Sequence, residues 1–115
     1  MTVLPEIRSS ERLARGVRLQ LTIPVDLSYF VGHFPDLPLL PGVIQVKWAI
    51  ELGRELLQFA GTFRALSAVK FMRVIQPGEA ITLTLEYSAD KRQLDFEYVL
   101  GERQCSSGSV LFDAS

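Results

Sequence analysis

The stretch from Val43 to Phe59 constrains the fold more than any other part of the chain. It contains no proline, and polar residues at positions 47, 51, 54, 55 and 58 recur at helical spacing. The pattern predicts a helix of about four to five turns with one polar stripe and an otherwise apolar surface. Pro41 and Gly42 stand at its predicted start, and Gly61 is predicted to end it. A helix that is apolar around most of its circumference has to be wrapped by the rest of the chain.

The flanking sequence predicts strands that can supply this wrapping. Val17, Leu19, Leu21 and Ile23 alternate with polar residues, and Pro24 then ends the predicted strand. Four more strand-like runs, separated by short turns, follow the helix and predict an antiparallel meander. They are Phe63–Ile75, Ile81–Tyr87, Leu94–Leu100 and Gln104–Phe112.

Three other segments are predicted differently. Val3–Ile7 is predicted to be a short edge strand, and the polar run Ser9–Arg15 a turn or frayed hairpin. Asp26–Pro41 is rich in proline, glycine and large apolar residues, which favours a packed loop over a helix, strand or flexible linker. Together the elements predict a single α+β domain over residues 1–115, with one helix against a curved antiparallel sheet. One helix leaves part of that sheet for a second copy to cover.

Composition and charge exclude several classes of function. The chain has 115 residues, of which 48% are hydrophobic, enough for one core. Twelve Lys and Arg balance thirteen Asp and Glu, so neither nucleic acid nor a membrane is an expected partner. The single cysteine, Cys105, cannot form a disulfide within the chain, and one cysteine with one histidine is too few for a closed zinc site. No metal or cofactor is expected. No signal peptide or long apolar run is evident, so a cytoplasmic protein is expected.

Two motifs resemble a known family. The segment Phe30–Val43, which contains Gly-His-Phe-Pro and ends in Pro-Gly-Val, resembles the signature of the 3-hydroxyacyl-acyl carrier protein dehydratases. The segment Lys70–Glu79 resembles the same family's second motif, which ends in a Pro-Gly turn. The resemblance spans about residues 17–112. Within the family, the presence of Gln45 and Trp48 after Pro-Gly-Val makes the sequence most similar to the short dehydratases of aryl polyene biosynthesis.

The resemblance implies a hotdog fold, in which a sheet wraps the central helix and two subunits join their sheets edge to edge. It also implies composite sites, with His33 from one subunit facing a helix residue of the other. His33 is suited to remove a proton from the carbon next to the thioester carbonyl. The amides of Gly42 and Val43, at a helix N-terminus, are suited to stabilise the resulting oxyanion. Acyl carrier protein is the partner implied.

The chain departs from the family pattern at Lys47, where the family has the carboxylate that acts as acid. Glu51 lies one helical turn further on the same face. We therefore hypothesise that Glu51 supplies the carboxylate, and that Lys47 either tunes it or contacts the substrate. In the alternative interpretation, Lys47 and Glu51 form an ordinary pair on a solvated helix face.

Other roles stay open at this stage. Phe34 and Trp48 are candidates for lining an acyl tunnel, although aromatic residues are as readily part of the core. Cys105 is interpreted as a small buried residue. Dehydration of a 3-hydroxyacyl chain on acyl carrier protein is the leading function. The alternatives are a hotdog thioesterase and a non-catalytic acyl-binding subunit that has lost its acid.

Overall fold

The computed structural model describes residues 4–25 and 39–114. This part of the chain contains one α-helix and six β-strands. In chain order they are β1 (Glu6–Arg12), β2 (Gly16–Thr22), α1 (Gly42–Leu57), β3 (Thr62–Phe71), β4 (Ala80–Ser88), β5 (Gln93–Leu100) and β6 (Arg103–Asp113). None of the helices in the described residues is long and apolar enough to cross a membrane.

The strands form one antiparallel sheet in the order β1-β2-β4-β5-β6-β3. The hairpins β4–β5 and β5–β6 build its centre, and β3 returns to pair with β6. Within the described residues, β1 and β3 are therefore the two edges of the sheet. The strand β3 is interrupted by register shifts, one of which includes Ala68 with a φ of 54°.

The helix lies against one face of the sheet, where it contacts β2, β4 and β5. Trp48, Ala49 and Leu52 face the sheet and are buried, as are the inward residues of the alternating strands. Burial of this apolar surface is the main force that holds helix and sheet together. The predicted α+β arrangement, with one helix held against a meander, is thereby confirmed. The predicted polar stripe also lies on the exposed side.

The edge strand β1 was predicted with the wrong extent. Residues 9–12, expected in a turn or frayed hairpin, continue the strand that begins at Glu6, after a register shift between Ile7 and Ser9, and only residues 13–15 form the connection to β2. The hydrophobic pattern could not reveal its full length, because all seven of its residues are exposed and none has to be apolar. Its backbone pairing with β2 is what makes it a strand.

Two predicted boundaries were also wrong. The helix ends at Leu57, before the predicted Phe59. Gln58, and not the predicted Gly61, ends it, in a left-handed conformation (φ 52°, ψ 55°). The amide of Gln58 donates to the Arg54 carbonyl at 3.0 Å, which closes the last turn. The strand β3 ends at Phe71, before the predicted Ile75. Of the predicted packed loop, residues 26–38 lie outside the described part, while Leu40 is buried in the core.

Candidate active site

The start of α1 presents backbone amides that no helical carbonyl can satisfy. Pro41 is the N-cap residue, in an extended conformation (φ −60°, ψ 146°), and its side chain cannot accept a hydrogen bond. The Pro41 carbonyl accepts from Ile44 N at 3.1 Å and from Gln45 N at 3.2 Å. The amides of Gly42 and Val43 precede these donors and have no partner within the helix. Such amides, at the positive end of the helix dipole, favour an oxygen that carries negative charge.

Gly42 is packed closely by Phe71, the last residue of β3. A Cβ atom at position 42 would lie 2.7 Å from the Phe71 Cζ atom, well inside normal contact distance. Glycine is therefore what allows the ring to lie over the helix start. This contact places one end of β3 directly beside the Gly42 amide.

A groove runs along α1 on the side facing β3, and we call it the helix–β3 groove. It joins two cavities of about 360 and 410 Å³, which share Val43, Val46 and Phe63. Gly42 and Phe71 lie in the first cavity, at the helix start, and Lys47 and Glu51 lie in the second. Aliphatic and aromatic side chains line most of its length, so the groove combines an apolar wall with a charged end. A third cavity of about 190 Å³ opens on the other side of Gly42 and Phe71.

Lys47 and Glu51 form an ion pair in this groove. The Lys47 Nζ and Glu51 Oε1 atoms are 3.9 Å apart, and both side chains remain substantially exposed in the single chain. An exposed i,i+4 pair stabilises a helix by only about 0.2 to 0.5 kcal/mol. In a single chain, Lys47 and Glu51 therefore form an ordinary ion pair on a solvated helix face. A chemical role for the pair requires a substrate or a second subunit to cover these two side chains.

The structure brings together four of the residues singled out from the sequence: Gly42, Val43, Lys47 and Glu51 lie along the groove. Trp48 points away from it and is completely buried against the sheet, so its assignment to the substrate site stays a prediction. His33 and Phe34 lie outside the described residues, and their roles also stay predictions.

Cys105 is buried, as expected, and burial raises the pKa of its thiol. A raised pKa leaves less of the nucleophilic thiolate at neutral pH. Across residues 4–25 and 39–114, no three His, Cys, Asp or Glu side chains are grouped so that they could hold a metal ion.

Sequence reasoning missed a buried polar cluster behind the helix start. Gln45 and Ser106 are the only buried polar or charged residues in the described chain, and they are bonded to each other. The Ser106 hydroxyl donates to Gln45 Oε1 at 2.6 Å, and the hydroxyl of buried Tyr98 donates to the Gln45 carbonyl at 2.7 Å. Burial raises the pKa of Tyr98, so this phenol remains a neutral donor. The available signal was a polar residue at position 45, off the polar stripe of the helix.

Comparison with known proteins identifies the family to which the chain is similar. The sequence model of the ApeI-like family, described as ApeI dehydratase, matches residues 8–109. A curated relative, the 3-hydroxyacyl-[acyl-carrier-protein] dehydratase FabZ of Oenococcus oeni, is 31% identical over 113 residues, covering 89% of this chain and 78% of its own.

Solved structures agree with this result. The dehydratase heterocomplex ApeI:P from Xenorhabdus doucetiae contains a chain that superposes with a TM-score of 0.90 at 32% identity, covering 99% of this chain and all of its own. A thioesterase superfamily protein, RHA08564, superposes with a TM-score of 0.63 at 21% identity, covering 90% of this chain and 54% of its own. The second likeness shows the shared hotdog fold alone, since this fold carries more than one reaction.

Proposed function

The chain belongs to the ApeI-like dehydratase family of hotdog proteins, and we propose on that premise that it converts 3-hydroxyacyl groups on acyl carrier protein to trans-2-enoyl groups in aryl polyene or fatty acid biosynthesis. The enzyme is a lyase. One observation supports this function at the site. The helix–β3 groove joins the backbone amides of Gly42 and Val43, in the first turn of α1, to the Glu51 carboxylate on the same helix.

In the proposed reaction, His33 removes a proton from C2 of the acyl chain. The electron pair moves toward the thioester oxygen, and the amides of Gly42 and Val43 stabilise the negative charge that develops there. The C2–C3 double bond then forms as the C3–O bond breaks, and the hydroxyl leaves as water after it gains a proton. The uncapped start of α1 supports the oxyanion step, because its amides have no competing partner within the helix.

We propose Glu51 as the group that gives the proton to the leaving hydroxyl. It lies in the groove and is only half exposed, whereas the position that carries the family's carboxylate is held by Lys47. Lys47, 3.9 Å from Glu51, would orient this carboxyl group or contact the substrate. The acyl chain would lie along the apolar wall formed by Val46 and Phe63, with Phe34 and Trp48 as further candidates for its surroundings.

We also propose that the working unit is a homodimer joined along β3, with acyl carrier protein delivering the substrate in the cytoplasm. Large apolar side chains are exposed on β3, and the groove lies directly beside this edge. A second copy would cover both, and would bring its own His33 to the groove, as the family resemblance implies. The carrier-protein substrate is supported by the FabZ relatives, which are named for acting on it.

The reaction itself is tested by incubating the purified chain with 3-hydroxyacyl-acyl carrier protein and analysing the products by mass spectrometry. A loss of one water from the acyl group supports the proposal. Release of the free 3-hydroxy acid would instead establish a thioesterase, and an unchanged acyl group would indicate a binding subunit.

The proposed acid is tested with Glu51→Gln and the matched control Glu55→Gln. Both changes remove one carboxylate from the exposed side of α1, but only Glu51 lies in the groove. We expect Glu51→Gln to lower kcat by about 100-fold or more, since general acid catalysis contributes on this scale, and Glu55→Gln to leave it unchanged. A Glu51→Gln enzyme with full kcat would remove Glu51 from the mechanism. His33→Ala is expected to lower kcat at least as strongly.

A further inference from the structure

The buried polar cluster behind the helix start connects three parts of the fold through one residue, Gln45. Gln45 belongs to the first turn of α1, Tyr98 to β5 and Ser106 to β6. The Gln45 side chain accepts from the Ser106 hydroxyl through Oε1 and donates through Nε2 to the Leu40 carbonyl at 3.2 Å, while its backbone carbonyl accepts from the Tyr98 hydroxyl. No buried side-chain polar atom in the described chain lacks a partner, so the cluster is complete.

These bonds fix the chain just before the helix. Gln45 holds the Leu40 carbonyl, and the Leu40 amide donates to the Ile75 carbonyl at 2.7 Å. The residue is thus held on both sides, one position before Pro41, whose own φ is restricted by its ring. With the peptide groups on either side of Pro41 held, little freedom remains in the direction of the Gly42 amide.

Stability alone does not require a glutamine here. Position 45 faces the core, where an apolar side chain of similar size would pack without bringing a carboxamide out of water. Burying polar groups is tolerated only when every one of them is bonded, and such a network holds a unique geometry. The location of this network, directly behind the amides proposed to receive the oxyanion, therefore points to a role in their orientation.

We propose that Gln45 is a positioning residue for dehydration, which sets the direction of the Gly42 and Val43 amides through its hydrogen bond to Leu40. Ser106 supports the Gln45 side chain through its Oε1 atom, and Tyr98 holds the Gln45 backbone carbonyl. The inference rests on the proposed function, because it assigns a purpose to those amides. Gln45 is itself buried, at 3% exposed, and acts through its bond to Leu40.

The test uses Gln45→Met, which retains the size and flexibility of the side chain but removes its donor and acceptor. We expect kcat to fall by about 10- to 100-fold with KM changed less than about threefold, because misplaced donors weaken binding of the transition state more than binding of the substrate. Ser106→Ala removes a supporting bond to Gln45 Oε1 but not the bond to Leu40, so its effect on kcat should be smaller than that of Gln45→Met, at about threefold. The cross-peaks of the Gly42 and Val43 amides in a ¹H–¹⁵N spectrum should move in Gln45→Met.

Val17→Ala is the control for stability. Val17 is a buried residue of β2 that pairs with Leu85 and with Arg12 in β1. Its truncation destabilises the core without altering any bond of Gln45. With all variants assayed well below their melting temperatures, Val17→Ala should keep its kcat and the positions of the two amide cross-peaks.

A Gln45→Met enzyme with kcat within twofold of the parent, or with unmoved Gly42 and Val43 cross-peaks, overturns the inference. So does a loss of kcat that Val17→Ala reproduces at equal stability. If the parent protein has no dehydratase activity, the proposed function fails and the catalytic role of Gln45 fails with it. In that case the amide cross-peaks still decide separately whether Gln45 orients the helix start.

Discussion

The two edges of the sheet differ sharply in their side chains. At the β1 edge all seven residues are exposed, four are charged, and Ile7 is the one large apolar side chain. At the β3 edge, the exposed residues include Phe63, Leu66 and Phe71. Both strands present one side to a neighbour in the sheet and leave the other side without a strand in the described residues.

This difference indicates which edge is made to be covered. An exposed strand edge is a template for pairing with another chain, and charged side chains are a common way to block it. The strand β1 carries such charges, and its Glu11 forms an ion pair with Arg18 of β2 at 3.1 Å. The strand β3 carries two charges, Arg64 and Lys70, against four on β1, and Arg64 pairs with Asp113 of β6 at 3.5 Å. Its exposed large apolar side chains and its position beside the groove of the proposed site are why we place the dimer contact there.

The largest effect is expected from Leu66→Asp. Leu66 is 45% exposed on β3, so a charge there should be tolerated in a single chain but not in an apolar contact between two chains. We expect the protein to become monomeric and its dehydratase activity to fall by more than about 100-fold, as composite sites lose their partner residues. Size-exclusion chromatography with light scattering, together with the product assay, measures both.

Ile7→Asp is the matched control, because Ile7 is exposed to almost the same degree, at 42%, on the other edge. It should change neither the mass in solution nor the activity. Equal behaviour of the two variants would show that β3 is not the dimer contact. A parent protein that is itself monomeric would point to a non-identical partner, the arrangement that the heterocomplex from Xenorhabdus doucetiae shows for its own subunits.

A smaller effect is expected at two glycines of α1, which differ in their neighbours. A Cβ at Gly42 would meet Phe71 on the β3 edge at 2.7 Å, and one at Gly53 would meet buried Leu94 of β5 at 2.9 Å. In an isolated chain the half-exposed Phe71 ring can swing away, whereas Leu94 cannot. If a second subunit covers β3, Phe71 is confined as well, and Gly42→Ala should then destabilise the protein by about 1 to 3 kcal/mol, as overpacking does.

Denaturant unfolding of Gly42→Ala and Gly53→Ala measures this difference. We expect similar losses for the two variants, and recovery of much of the Gly42→Ala loss when Phe71 is also changed to Leu. A loss at position 53 with none at position 42 would mean that Phe71 is free to move, and that β3 is open in solution.

The contrast between the edges also shows what the sequence could predict. The helix and strands β2, β4 and β5 were predictable because each buries one face, which imposes a hydrophobic period on the residues. The full extent of strand β1 was not, since an exposed edge imposes no such period. At the site, residues near the motifs were predictable from the family resemblance, but Gln45, Tyr98 and Ser106 come from three elements whose contact only the fold creates.

The smallest effects on stability are expected at two exposed ion pairs, one near each edge. Lys47 pairs with Glu51 beside the groove at 3.9 Å, and Arg18 pairs with Glu11 at the β1 edge at 3.1 Å. Lys47→Met and Arg18→Met each remove one cation from such a pair while retaining an apolar stem. Each should therefore change the free energy of unfolding by no more than about 0.5 kcal/mol.

Activity should separate these two variants where stability does not. Because Lys47 lies in the groove within reach of Glu51, its loss should lower kcat/KM by about 10-fold or more, while Arg18→Met should leave kcat/KM unchanged. Full activity in Lys47→Met would assign its ion pair to the solvated face of the helix, leaving Glu51 to act without Lys47. The same measurement at several salt concentrations sharpens the result, since a pair covered by a second subunit is screened less than the open pair at the β1 edge.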